Sequence, residues 1–163
     1  NIFLISKDNF VSILEKNNLI HSFKVRKIYP NSIEVQIKKT ELLAITNYNK
    51  KKFFIGSNGK LINFESSNKN LPYVFGKIKI RNFIEFTKII TKSKFNFEEI
   101  SELYFFPSGR WDIKSRKGIL IKLPETNLLK ALNLADQIVT NEIFKNDKVI
   151  DLRIYNRVIS TNE

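Results

Sequence analysis

Cysteine and methionine are both missing from the 163-residue chain, and glycine (5), proline (4) and histidine (1) are scarce. Without cysteine there is no disulfide, no thiolate metal ligand and no cysteine nucleophile. The compartment stays open, because a cysteine-free chain suits a bacterial periplasmic protein and many cytosolic ones alike. The single histidine lies in Leu19-Ile20-His21-Ser22 with no carboxylates at ligand spacing, so no transition-metal site is expected and His21 reads as structural or surface. Five glycines leave little material for a phosphate cradle, and neither G-x-x-x-x-G-K-[ST] nor G-x-G-x-x-G occurs. A chain without Met does not open at its own start codon, so an N-terminal stretch is expected to have preceded it. No run approaches the roughly 18 apolar residues of a membrane span, and no signal-peptide pattern opens the chain. Any anchor or export signal is therefore expected in that preceding stretch.

What is present is a globular composition: 42% hydrophobic, 12% aromatic, with 14 Phe. A single domain of this length buries roughly 70% of its unfolded surface. The formal net charge is +12, a pointer to polyanions or anionic membrane surfaces. The Lys excess, however, accompanies abundant Asn, Ile, Phe and Tyr, whose codons are rich in A and T, and the charges are spread along the chain. Basic residues interleave with aromatics at Lys50-Lys51-Lys52-Phe53-Phe54 and from Lys92 to Phe97, as a stacking platform for nucleic acid would. Core Phe beside solvated Lys explains the same pattern, and no nucleic-acid partner is expected.

Hydrophobic periodicity places one amphipathic helix over Lys7 to Asn17, with Phe10, Val11, Ile13 and Leu14 on a stripe and Ser6 or Asp8 as cap. Phe23, Val25 and Ile28, a Tyr29-Pro30-Asn31-Ser32 turn, and Ile33, Val35 and Ile37 in strict alternation read as a β-hairpin. Leu42 to Tyr48, Phe53 to Ile55 and Leu61-Ile62 read as short strands, the last two joined by a Ser57-Asn58-Gly59 turn. Glu65 to Pro72 is polar and loop-like. A second helix is expected over Lys79 to Lys92, on Phe83, Phe86, Ile89 and Ile90. Ile100 to Phe106, Trp111 to Ser115 and Ile119 to Leu123 form a meander, and Glu125 to Asn141 a third helix with a Pro-Glu start. One terminal strand is expected from Val149 to Ser160. The fold class is α+β, without internal repeats.

Catalysis finds little support. Ser66-Ser67-Asn68-Lys69 matches S-x-x-K of penicillin-binding enzymes, but no S-D-N or K-T-G accompanies it, and Lys39-Thr40 is followed by Glu41. Glu98, Glu99 and Glu102 sit among lysines, where a solvated charged surface is the simpler reading than an acid/base pair. No enzyme, cofactor, metal or small-molecule substrate is expected.

Three stretches together resemble the FtsQ/DivIB family of bacterial division proteins over nearly the whole chain. Val25-Arg26-Lys27-Ile28-Tyr29-Pro30-Asn31-Ser32-Ile33-Glu34-Val35, with Ala44 following, is similar to the family's basic strand, aromatic-Pro-Asn turn and alternating strand. Gly109-Arg110-Trp111-Asp112-Ile113, with Gly118 and Leu123-Pro124, resembles its R-W-D-L…nG…v-x-L-P pattern. Ile150-Asp151-Leu152-Arg153 resembles the D-L-R that opens its terminal strand. The resemblance implies a partial POTRA domain (helix plus β-hairpin) at 1–46 and an FtsQ-type β domain at 47–163, with a mixed or antiparallel sheet and two helices. The first POTRA strand and helix have no counterpart here; Asn1-Ile2-Phe3 resembles the link between the family's two POTRA helices.

The resemblance further implies a non-enzymatic divisome scaffold that binds FtsB and FtsL homologues and links septum assembly to control of septal peptidoglycan synthesis. The location implied is the bacterial inner membrane, crossed once by a helix outside this sequence, with this region in the periplasm. A terminal strand with a free edge offers unpaired N–H and C=O groups to which a partner adds a strand. That edge is expected at Arg153, Ile154, Tyr155, Asn156, Arg157, Val158, Ile159 and Ser160, with Tyr155 and Val158 as apolar anchors and Arg153 and Arg157 pairing with acidic partner residues. Arg110 is a second contact by similarity, and Trp111 reads as core. The alternatives are a basic nucleic-acid-binding domain and a POTRA-containing export or assembly module.

Overall fold

The computed structural model describes residues 7–63, 70–144, 146–154 and 157–162. Helix α1 (Lys7–Lys16) leads into β1 (Ile20–Ile28) and β2 (Ser32–Lys39), which pair antiparallel with each other and, among the described residues, with no other strand. Val25 faces Val35 and Phe23 faces Ile37, so the apolar alternation gathers on one side, where Phe23, Val25, Ile33 and Val35 are half-buried. The other side carries Lys24, Arg26, Gln36 and Lys38, all exposed.

The remaining strands are β3 (Leu42–Tyr48), β4 (Lys51–Gly56), β5 (Leu61–Ile62), β6 (Tyr73–Phe75), β7 (Ile100–Phe105), β8 (Trp111–Ser115), β9 (Leu120–Lys122), β10 (Val149–Asp151) and β11 (Ile159–Thr161). They form one mixed sheet in the order β11-β10-β9-β8-β7-β6-β3-β4-β5. The pairs β3/β6, β6/β7 and β9/β10 are parallel, the others antiparallel. Helix α2 (Ile80–Lys92) links β6 to β7, and α3 (Leu128–Thr140) lies between β9 and β10. Both links are parallel crossovers that step toward β11, and β6 and β9 run in the same direction. Right-handed crossovers of that kind put both helices on one face of the sheet.

The packing agrees. Phe83, Phe86 and Ile90 of α2 and Leu132, Ala135 and Ile138 of α3 share one buried core with Val74, Leu103, Ile113, Ile121 and Ile150 of the sheet. Trp111 lies inside that core, stacked on Phe86 with ring centroids 4.7 Å apart and tilted against Phe105 at 4.8 Å. Among the described residues no helix packs on the opposite face. Cross-strand register lines up Phe75, Tyr104, Asp112, Lys122, Asp151 and Ile159 along it, with Phe75 stacked on Tyr104 at 5.3 Å. Among the described residues, the β3–β5 end is closed there by a small cluster of Ile45, Phe54 and Ile62 with Leu42 and Leu71 packed on it.

The α+β reading holds: helix and hairpin, then a mixed sheet with two helices. Four details differ. Residue 46, where the two units were expected to divide, lies inside β3, which belongs wholly to the large sheet. The strand β6 falls between Pro72 and Gly76 and is too short for a period of two; parallel neighbours on both sides supply its backbone partners. Gly76 ends it with φ +108°, and a Cβ there would lie 2.2 Å from the Phe105 carbonyl oxygen. Helix α3 starts at Leu128, three residues beyond Pro124-Glu125, because Asn127 takes the left-handed conformation (φ +57°) and interrupts any earlier turn. The single strand expected from Val149 to Ser160 is two strands, β10 and β11, with a reversal between them.

Candidate partner-binding edge

The reversal has a local cause. After Leu152, which is buried, the alternation stops and Ile154 is exposed. The Asp151 carboxylate accepts the Arg153 backbone N–H at 3.0 Å, a turn that a short acidic side chain makes with the residue two places on. The Arg157 N–H then donates to the Ile154 carbonyl at 3.1 Å, and the chain returns as β11 alongside β10. The expectation of one edge strand over Arg153 to Ser160 is therefore corrected. Arg153, Ile154, Arg157 and Val158 belong to the connection, and only Ile159 and Ser160 stand in the outer strand, with Thr161. Tyr155 and Asn156 lie outside the described residues.

Strand β11 ends the sheet: β10 is its one neighbour among the described residues. Ser160 sits opposite the buried Ile150 and shares its face, whereas Ile159 shares the open face with Asp151 and is 47% exposed. Beside this edge a groove of about 260 Å³ runs between Asn127, Lys130 and Leu134 of the α3 start and Leu152, Ile154 and Arg157.

Charges alternate across the open face next to the edge. Asp151 holds Arg153 with both carboxylate oxygens, accepting from Nε at 2.8 and 2.9 Å. Its carboxyl is thereby held below the usual range, chiefly by the side-chain hydrogen bond from Arg153, and the Arg153 guanidinium is pushed up by the same bond. Asp112, 3% exposed on the same face, is shifted in the opposite direction: burial pushes its carboxyl up, against the opposing pull of Arg110, a backbone N–H at Leu123, and Lys122. Arg110 donates through Nε to Asp112 at 3.2 Å and lies 4.2 Å above the Phe106 ring, so its pose is fixed from two sides. Arg110 and Arg153 therefore frame one row, Asp112–Lys122–Asp151, across β8, β9 and β10. Neither the buried Asp112 nor its partnership with Arg110 follows from the sequence pattern.

The other side chains singled out from sequence go elsewhere. His21 sits in β1 with Nδ1 3.3 Å from Ser57 Oγ, a contact between hairpin and sheet. Glu102 accepts from the Tyr104 hydroxyl, which pushes that phenol up to about 12, and lies 3.4 Å from Lys114 Nζ. Glu98 and Glu99 lie in a short 3-10 turn, Phe97–Glu99, capped by Asn96. Ser66 to Lys69 lies outside the described residues. In the two Lys-aromatic stretches Phe54 and Phe95 are buried and Phe97 packs on the core, so these rings offer no stacking platform.

A family model described as "Cell division protein FtsQ/DivIB, C-terminal" matches residues 44–153. FtsQ of Rickettsia conorii is 28% identical over 96% of the chain and 60% of its own length. FtsQ of Rhizobium meliloti is 26% identical over 85% of the chain and 46% of its length. DivIB of Staphylococcus aureus is 36% identical over 37% of the chain and 14% of its length. The chain spans about half the length of the Rhizobium relative and three-fifths of the Rickettsia one. Among solved structures, the major extracytoplasmic domain of DivIB from Geobacillus stearothermophilus is similar with a TM-score of 0.46 and 15% identity, over 63% of this chain and 92% of that one.

Proposed function

Because the chain belongs to the FtsQ/DivIB family of cell-division proteins, we propose that it is a divisome scaffold whose β11 edge receives the extracytoplasmic segment of an FtsB homologue as an added strand. The observation that carries the reading is that, among the described residues, no strand pairs with the outer side of β11 and no helix covers the sheet face there. Strand addition supplies affinity through main-chain hydrogen bonds and specificity through side chains at alternate positions. Ile159 stands on the open face for that purpose, Val158 and Ile154 extend the apolar margin, and the groove by α3 is open to a side chain beyond the added strand. Arg153, immobilised by Asp151, keeps guanidinium donors for an acidic partner residue, with Arg110 further along the face. Chemistry has no place in this reading. An FtsL homologue joins through the FtsB homologue, and the complex links septum assembly to control of septal peptidoglycan synthesis. The region works on the periplasmic side of the inner membrane, tethered by a single membrane helix outside this sequence.

A calorimetric titration of the chain with the extracytoplasmic segment of its own FtsB homologue tests this. Saturable binding is expected, weakened by about 2 kcal/mol or more in Ile159→Asp and Val158→Asp, the scale of an interface hot spot. Unchanged affinity in both variants would remove β11 as the docking edge.

A further inference from the structure

The β1–β2 hairpin carries features that the sheet edge does not use. Its side away from Phe23, Val25, Ile33 and Val35 bears Lys24 and Arg26 on β1 and Lys38 on β2, with Glu34 as the one acid of that side. Glu34 is engaged by Gln36 at 3.1 Å, and among the described residues no carboxylate ion-pairs with Lys24, Arg26 or Lys38. At the end of the same side Ile28 is 49% exposed, and in the adjoining turn Tyr29 is 86% exposed. An aromatic and an aliphatic side chain held out at a strand tip, with unpaired cations leading up to them, suit a surface that is anionic outside and apolar a few ångströms beneath.

We propose that this hairpin is a peripheral docking surface for a bilayer containing anionic phospholipid. Lys24, Arg26 and Lys38 meet the headgroup phosphates, and Ile28 and Tyr29 enter the headgroup–acyl boundary, where a tyrosine keeps its hydroxyl wet and its ring dry. Each Lys or Arg near such a surface contributes about fivefold in partitioning, so the three together contribute about a hundredfold. A polynucleotide groove would use the cations and leave Ile28 without a role. Among the described residues the hairpin pairs with no other strand, so docking displaces none of the large sheet.

Flotation of the 163-residue chain with vesicles of 70:30 phosphatidylcholine and phosphatidylglycerol, against pure phosphatidylcholine, tests the proposal. Binding is expected to the mixed vesicles, falling about a hundredfold in Lys24→Gln/Arg26→Gln/Lys38→Gln and about tenfold in Ile28→Ser/Tyr29→Ser. The exposed triple Lys79→Gln/Lys88→Gln/Lys92→Gln, on and before α2, removes the same charge elsewhere and is expected to lose under about threefold. All substituted positions are surface residues, and thermal melting verifies that the variants fold. Three results would overturn the proposal: no flotation with mixed vesicles, an equal loss in the α2 triple, or unchanged flotation of the Ile28→Ser/Tyr29→Ser variant. The last, with full displacement by a random oligonucleotide, would assign the hairpin to nucleic acid.

Discussion

The nine-stranded sheet has two ends, and the chain treats them differently. At β5 the protein covers its own edge: Asn18 Nδ2 donates to the Leu61 carbonyl at 2.9 Å, Asn58 Nδ2 donates to the carbonyls of Asn18 and Ile20, and Lys60 Nζ reaches the Glu15 carbonyl. Both faces are filled there, by the main core on one side and by Ile45, Phe54 and Ile62 on the other. At β11 no such contact closes the strand among the described residues, one face is bare, and Ile154, Val158 and Ile159 are exposed together. An open edge invites pairing with another chain, and proteins ordinarily blunt it. A fold that blunts one end with its own α1–β1 segment and leaves the other bare is consistent with the proposed docking edge. The shortness of β11, three residues, limits unwanted pairing.

The comparison breaks most visibly in the cores of the two ends. Phe54→Ala, at a ring 2% exposed, is expected to cost about 3–5 kcal/mol in urea unfolding, whereas Ile159→Ala should stay within about 0.5 kcal/mol. Equal losses would mean that β11 is as fully packed as the β4–β5 end of the sheet. Next in size, Asn58→Ala removes the side-chain hydrogen bonds to the Asn18 and Ile20 carbonyls and should cost about 1 kcal/mol. Amide exchange at Asn18 to Ser22 should quicken selectively; uniform exchange would deny that Asn58 is the clamp. The smallest effect concerns pH. Asp151 ionises below its ordinary 3.8 in the folded chain, so its contribution is present above that value and is lost as pH falls through the lower, folded one. Acid titration of stability should flatten in Asp151→Asn, while an identical acid limb in the variant would exclude the Asp151–Arg153 pair from acid unfolding.

Strands with strict alternation and a turn of Asn-Gly or Tyr-Pro-Asn type were legible because period and turn chemistry point the same way: Ile33, Val35 and Ile37 after Tyr29-Pro30, and Leu61-Ile62 after Asn58-Gly59. So were α1, α2 and the body of α3, from the spacing of apolar residues. What escaped depends on neighbours distant in sequence. Tyr73-Val74-Phe75 is a strand because β3 and β7 flank it, and β3 belongs to the large sheet through its pairing with β6. The terminal segment shows the opposite failure. Ile150, Leu152 and Ile154 keep a period of two, yet the side chain of Asp151 ends the strand by taking the Arg153 N–H. Of the proposed edge, Ile159 and Ser160 were legible as outer-strand residues; the role of Asp151 in fixing Arg153, and the closure of the far end by Asn58, were not.

Hydrogen exchange on the chain with and without a saturating extracytoplasmic segment of its FtsB homologue tests the central claim most directly. Protection is expected to rise at Ile159 to Thr161 and to stay unchanged at Leu61 and Ile62, because an added strand ties up the free backbone groups of one edge alone. Tight binding with no change at Ile159 to Thr161, or with protection at the β5 edge, would contradict the account.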